Sequence, residues 1–100
     1  MDLNQLDYVV KGGSRAEDNI TVYALSTCGF CKRAFGFLDS KGIAYKYIYL
    51  DQIPVDKKNE IKAELKAKFN ESVAFPFTVF HGDTHLVGFI EPDWVRTLGL

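Results

Sequence analysis

The chain has 100 residues, of which 47% are hydrophobic and 25% are charged, and its formal net charge is -1. This length and composition predict one small domain that buries roughly two-thirds of the surface its unfolded chain exposes. Because charges of both signs are nearly balanced, nucleic acid and anionic membranes are not expected as partners.

The first nineteen residues are predicted to form an N-terminal extension or linker. They contain Lys-Gly-Gly-Ser at 11–14 and a polar run at 15–19, both typical of a flexible segment. The start of the chain lacks the basic and apolar regions of a secretory signal, and no stretch approaches the roughly 18 apolar residues of a membrane span. We therefore expect a cytoplasmic protein with its domain at residues 20–100.

A strand followed by a helix is predicted at the start of this domain. Residues 20–25 are rich in β-branched and aromatic side chains, which is typical of a buried strand. The Ser-Thr pair at 26–27 offers caps for a helix that begins at or near Cys28. Apolar residues recur at helical spacing between 31 and 38, and Gly42 is a suitable helix end.

The remaining elements complete a mixed α/β pattern. Residues 44–50 predict a second strand, reached by a right-handed parallel crossover. Pro54 opens a second helix whose interleaved lysines and acids indicate a solvated face. Residues 77–80 and 86–89 predict an antiparallel hairpin, and Pro92 begins a short last helix. The order β-α-β-α-β-β-α predicts a four-stranded mixed sheet flanked by helices.

The two cysteines form a Cys-Gly-Phe-Cys motif at the first strand-helix junction. Residues three apart in a helical turn share one face, so the two sulfurs can close a disulfide. Helix N–H groups and the helix dipole favour a thiolate at Cys28, which we predict to be the nucleophile. Cys31 lies on the core-facing stripe and is predicted to resolve the mixed disulfide formed on Cys28.

Two other interpretations of the cysteine pair have less support. A CxxC motif can be half of a zinc site, but the only histidines, His81 and His85, flank a turn two elements further along the chain. No metal site is predicted. A disulfide closing so short a loop adds little constraint to the unfolded chain, so a purely structural bridge is the weaker explanation.

The motif positions resemble the glutaredoxins of the thioredoxin fold over about residues 20–100. The resemblance rests on the CxxC, on Phe75-Pro76 before the hairpin and on Gly88-Phe89 at its end. It implies a thiol-disulfide oxidoreductase with no tightly bound cofactor and with glutathione as a candidate reductant or co-substrate. It also implies a cis peptide bond before Pro76, which without a family would have a chance of about one in twenty. The predicted substrate-binding residues are Thr27, Phe30, Lys32, Phe75, Pro76, Gly88 and Phe89.

Several positions depart from the glutathione-dependent pattern of this family. Leu25 stands where such proteins usually carry a lysine, and Phe89 replaces the second glycine of a pair. Lys32 is a candidate replacement for the missing carboxylate partner. Phe30, Phe75 and Phe89 either form an apolar rim around Cys28 or are partly buried packing residues.

Two relatives of the glutaredoxins offer alternative functions. Residues 88–93 resemble a segment of the NrdH redoxins, glutaredoxin-shaped proteins that take electrons from thioredoxin reductase. The Cys-Gly-Phe sequence resembles glutaredoxins that share a [2Fe-2S] cluster between subunits, although Cys31 stands where those proteins have serine. We expect a monomer that acts on protein disulfides or glutathione mixed disulfides. The choice between glutathione and thioredoxin reductase as electron source stays open.

Overall fold

The computed structural model describes residues 1–100 and contains a five-stranded mixed sheet with helices on both faces. The strands are β1 (Val9–Lys11), β2 (Arg15–Ala24), β3 (Ile43–Tyr49), β4 (Phe77–Phe80) and β5 (Thr84–Val87). The helices are α1 (Gly29–Ser40), α2 (Val55–Phe69) and α3 (Glu91–Leu98). None of these helices has the length and apolar character needed to cross a membrane.

The sheet order is β1-β3-β2-β4-β5. Strands β2 and β3 are parallel and are joined through α1, while β4 pairs antiparallel with both β2 and β5. The predicted α/β fold with a helix-flanked mixed sheet is therefore confirmed. The prediction of four strands is one too few, because β1 adds an edge strand antiparallel to β3. All three residues of β1 are exposed, so the segment lacks the alternation that marks a half-buried strand.

The segment predicted to be an extension or linker contributes to the sheet. β2 begins at Arg15 and so crosses the predicted start of the domain at residue 20. The division of the chain at that residue stays a prediction. Arg15 binds the buried carboxylate of Asp18 through two hydrogen bonds of 2.7 and 2.9 Å, and it also donates to the backbone oxygen of Leu98. The Asp18 carbonyl accepts from the backbone of His81. The polar run thus ties the start of β2 to the end of α3.

Two apolar cores fill the faces of the sheet. On one face, α1 and α3 pack over β2 and β3, with Cys31, Leu38 and Trp94 fully buried. On the other face, α2 packs through Ile61 and Leu65. Because β2 and β3 are parallel and adjacent, their carboxyl ends lie at the same edge of the sheet, where α1 begins. This edge carries the two cysteines.

Candidate functional site

Cys28 occupies the N-cap of α1. Its backbone is extended, with φ -88° and ψ 117°, and its Sγ accepts a hydrogen bond from the Cys31 N–H at 3.2 Å. Cys28 therefore takes the position that Ser26 or Thr27 was predicted to fill, and that prediction is wrong. A sulfur anion here is stabilised by the free N–H groups and the positive end of the helix dipole.

The loop that leads into Cys28 is held by two neighbours. The Cys28 N–H donates to the Leu25 oxygen at 3.2 Å, closing a turn. The backbone N–H of Ser26 donates to an Asp51 carboxylate oxygen at 3.0 Å, and the Ser26 hydroxyl binds the other oxygen. These hydrogen bonds lower the pKa of Asp51. Asp51 was not predicted as a site residue, although its place directly after a strand parallel to β2 puts it at the edge where Cys28 lies.

Cys31 differs from Cys28 in its surroundings. Its side chain is only 1% exposed and belongs to the core between α1 and the sheet. Burial, and next the hydrogen bond with Cys28, raise the pKa of the Cys31 thiol to about 12. Cys31 is therefore protonated at neutral pH when both cysteines are free thiols.

The segment before β4 faces the cysteines. The Phe75–Pro76 peptide bond is cis, as the resemblance implied. The carbonyl oxygen of Phe75 lies 3.8 Å from the Cys28 Sγ, and Pro76 is buried behind it. Gly88, with φ +79°, donates its N–H to the Pro76 oxygen at 2.8 Å. Folding thus brings the segment before β4 and the segment after β5 to the first turn of α1.

The three phenylalanines near the site have different environments. Phe30 is 57% exposed, and the Arg33 guanidinium lies 5.6 Å from its ring centre. Phe75 is half-buried and contacts the cores on both faces of the sheet. Phe89 is half-buried against Phe37, with 5.7 Å between ring centres. Of the three side chains, only that of Phe30 is largely exposed to solvent.

The other predicted substrate-binding residues lie on the exposed side of the motif. Thr27 and Lys32 are exposed, and the Lys32 ammonium has no carboxylate partner. Leu25, at the position of the family lysine, packs against the core on the α2 face. The roles of these residues toward substrate stay predictions. No cluster of three or more His, Cys, Asp and Glu side chains is placed to hold a metal ion.

Comparison with known proteins gives consistent matches. A family model described as Glutaredoxin matches residues 20–86, a range that includes both cysteines and Pro76. A probable glutaredoxin from Synechocystis sp. is 32% identical over 69 residues, which is 69% of this chain and 72% of the relative. The crystal structure of a glutaredoxin from Methanosarcina mazei Go1 is 31% identical, with 99% of this chain and 96% of that chain covered and a TM-score of 0.79.

A further similar structure has a ligand in its description. It is the complex of a buckwheat glutaredoxin with glutathione, which is 26% identical to this chain. The match covers 72% of this chain and 62% of the buckwheat chain, with a TM-score of 0.61.

Proposed function

The chain belongs to the glutaredoxin family and is a thiol-disulfide oxidoreductase, and we propose that it works by a dithiol mechanism. The Cys28 thiolate attacks one sulfur of a substrate disulfide, and the other substrate sulfur leaves as a thiolate that takes up a proton. Cys31 then loses its proton and attacks Cys28 in the mixed disulfide, which expels the second substrate thiolate. The protein dithiol loses two electrons, and the substrate disulfide gains them as two thiols.

The observation that carries this proposal is the unequal placement of the two sulfurs. Cys28 caps the helix at a partly exposed position, whereas Cys31 is buried one turn further on. Burial is the largest cause of the raised pKa of Cys31, and the hydrogen bond with Cys28 and the charge of Cys28 add to it. The two contributions of Cys28 disappear when Cys28 enters a mixed disulfide, whereas that of burial stays. The pKa of Cys31 therefore falls in the mixed disulfide, which favours the resolving step.

Substrate is proposed to bind across the cis peptide bond. Because the Phe75 oxygen and the Cys28 sulfur are 3.8 Å apart, a disulfide at Cys28 brings its own backbone close to that of Phe75. Thr27, Phe30 and Lys32 would contact the substrate from the α1 side. Gly88 and Phe89 would do so from the segment before α3.

Replacement of Cys31 by serine tests the mechanism. Reduced Cys31→Ser protein should accumulate a mixed disulfide on Cys28 when mixed with a substrate disulfide, because the second step is blocked. Mass spectrometry of the intact protein would measure the adduct, and Cys28→Ser protein is the control that should form none. If Cys31→Ser protein forms no adduct while the wild type consumes the same disulfide, Cys31 does not resolve a Cys28 intermediate.

The electron source is proposed to be glutathione or a thioredoxin reductase. The buckwheat complex supports glutathione, and the unpaired Lys32 offers a partner for one of its carboxylates. Leu25 in place of the family lysine supports the thioredoxin reductase alternative. Oxidised protein should be offered both systems, glutathione with glutathione reductase and NADPH with thioredoxin reductase. Rapid reduction by the second system alone would eliminate glutathione.

A further inference from the structure

A groove lies between α1 and α3. It has a volume of about 580 Å³. Phe37, which is 7% exposed, and the half-buried Phe89 form its apolar floor. Gly36 leaves the middle open, since no heavy atom lies within 4 Å of the place where a Cβ would be. No side chain thus closes the centre of the groove.

The charges along the groove are unequal on its two walls. The α1 wall carries Arg33 and Lys41, which are both exposed and form no ion pair. The Lys41 ammonium lies 5.9 Å from the centre of the Phe37 ring, above the floor. Glu91 stands on the α3 wall and also has no ion-pair partner. An occupant with carboxylates toward α1 and apolar groups toward the floor matches this arrangement.

One end of the groove lies near the cysteine motif, since its lining begins at Arg33, two residues after Cys31. It is bounded by α1, whose first turn holds Cys28, and by Phe89, which follows the glycine bound to Pro76. At about 1.5 Å of rise per helical residue, Arg33 and Lys41 lie about 7.5 and 20 Å along the helix axis from Cys28. An extended chain advances about 3.3 Å per residue, so these distances correspond to about two and six residues.

Resting on the proposed function, we propose that this groove binds an acidic segment of a protein substrate, next to the cysteine whose disulfide is reduced. The favoured segment is extended and carries carboxylates about two and six residues from that cysteine. Positions two and six share one side of an extended chain, so both carboxylates face α1 at once. The groove therefore distinguishes protein disulfides by the charges that flank them, whereas a small neutral disulfide reacts at Cys28 without occupying the groove.

Matched peptides test this preference. One peptide has a single cysteine with glutamate two and six positions away on both sides, so that either chain direction fits, and the other has glutamine at the same four places. Each is offered as its homodimeric disulfide to reduced wild-type protein, and hydroxyethyl disulfide is the small neutral reference. Because two exposed ion pairs, with Arg33 and Lys41, would form, the glutamate peptide should react roughly fivefold faster than the glutamine peptide. The ratio of the two peptide rates should fall toward one in 0.5 M NaCl, because salt screens exposed charges.

Two variants and one control locate the effect. Lys41→Glu should lower the glutamate-to-glutamine rate ratio, whereas Lys57→Glu, the same charge change on exposed α2, should leave it unchanged. Gly36→Leu fills the middle of the groove, and it should slow both peptides relative to hydroxyethyl disulfide. Leucine favours a helix interior more than glycine does, so this variant is expected to remain folded.

The outcomes separate the two proposals. A glutamate-to-glutamine rate ratio near one in the wild type would overturn the groove proposal, and so would an equal fall of that ratio in Lys41→Glu and Lys57→Glu. In either case, reduction of hydroxyethyl disulfide would still support the dithiol mechanism. If the wild-type protein reduces none of the three disulfides, the dithiol mechanism is overturned, and the groove proposal falls with it.

Discussion

At the scale of single residues, two cysteines of the same motif have opposite environments. Cys28 precedes the first helical residue, so its sulfur points to the N–H groups that the helix leaves without partners. Cys31 is one turn further on and joins the apolar stripe of α1. The difference in burial and hydrogen bonding between the two sulfurs follows from a displacement of three residues.

This difference predicts selective alkylation. Iodoacetamide at pH 7.5 should modify Cys28 and leave Cys31 unmodified, because burial and then the contact with Cys28 raise the pKa of the Cys31 thiol to about 12. In a Cys28→Ala variant, loss of the Cys28 hydrogen bond lowers the pKa of Cys31, so its alkylation should begin at a lower pH than in the wild type. Peptide mapping by mass spectrometry across pH 7–11 would measure both rates. Equal modification of the two cysteines in the wild type at pH 7.5 would contradict the assignment.

At the scale of secondary-structure elements, the N-terminal segment is part of the sheet. Gly13 lies so close to the turn before β3 that an added Cβ would stand 2.6 Å from the Gly42 oxygen and 2.7 Å from the Ala44 nitrogen. Both are backbone atoms, which cannot move aside as a flexible side chain can. The loop between β1 and β2 thus depends on a glycine for close packing, in addition to any flexibility that the glycine gives the chain.

The close approach at Gly13 predicts a measurable loss of stability. Gly13→Ala should lower the free energy of unfolding by about 1–3 kcal/mol, the usual range for overpacking. Gly12→Ala is the matched control, because the space around that position is open, and its effect should stay within about 0.5 kcal/mol. Urea unfolding followed by circular dichroism would compare the two variants. Equal stabilities would mean that residues 9–14 can detach without cost.

At the scale of the whole molecule, the sheet separates two cores, and buried ionisable groups lie in both. Cys31 and Tyr45 belong to the core under α1, and Tyr23 belongs to the core under α2. Burial is the largest cause that raises the pKa of all three groups. Tyr8 adds a smaller increase to the pKa of Tyr23, and Asp39 adds one to the pKa of Tyr45. The folded protein therefore holds these protons more tightly than the unfolded chain does.

The raised pKa values predict a loss of stability in alkaline solution. Each group contributes fully below its ordinary pKa, 9.0 for the thiol and 10.0 for the tyrosines, and this stability is lost as pH rises toward the folded-state value. The free energy of unfolding of the reduced protein should fall between pH 8 and 11. Cys31→Ala should make this slope shallower, by up to about 1.4 kcal/mol per pH unit. An unchanged slope in the variant would show that Cys31 does not titrate on unfolding.

The sequence by itself determined the order of the elements from β2 to α3, because apolar periodicity, glycine and proline act over a few neighbouring residues. It fixed the parallel β2–β3 pair, the hairpin and the cysteines at the start of α1. It also predicted, through the family resemblance, the cis bond before Pro76. Each of these features depends on local conformation or on a motif that spans few residues.

Only the tertiary structure decided the features whose partners are distant in the chain. β1 is recognisable as a strand because it pairs with β3, more than thirty residues away. The polar run at 15–19 is ordered because Arg15 and Asp18 meet the backbone of Leu98 and His81. The Asp51 contact and the groove between α1 and α3 likewise arise where separate elements meet. The energies of such contacts depend on positions that no local pattern encodes, so they appear only once the chain is folded.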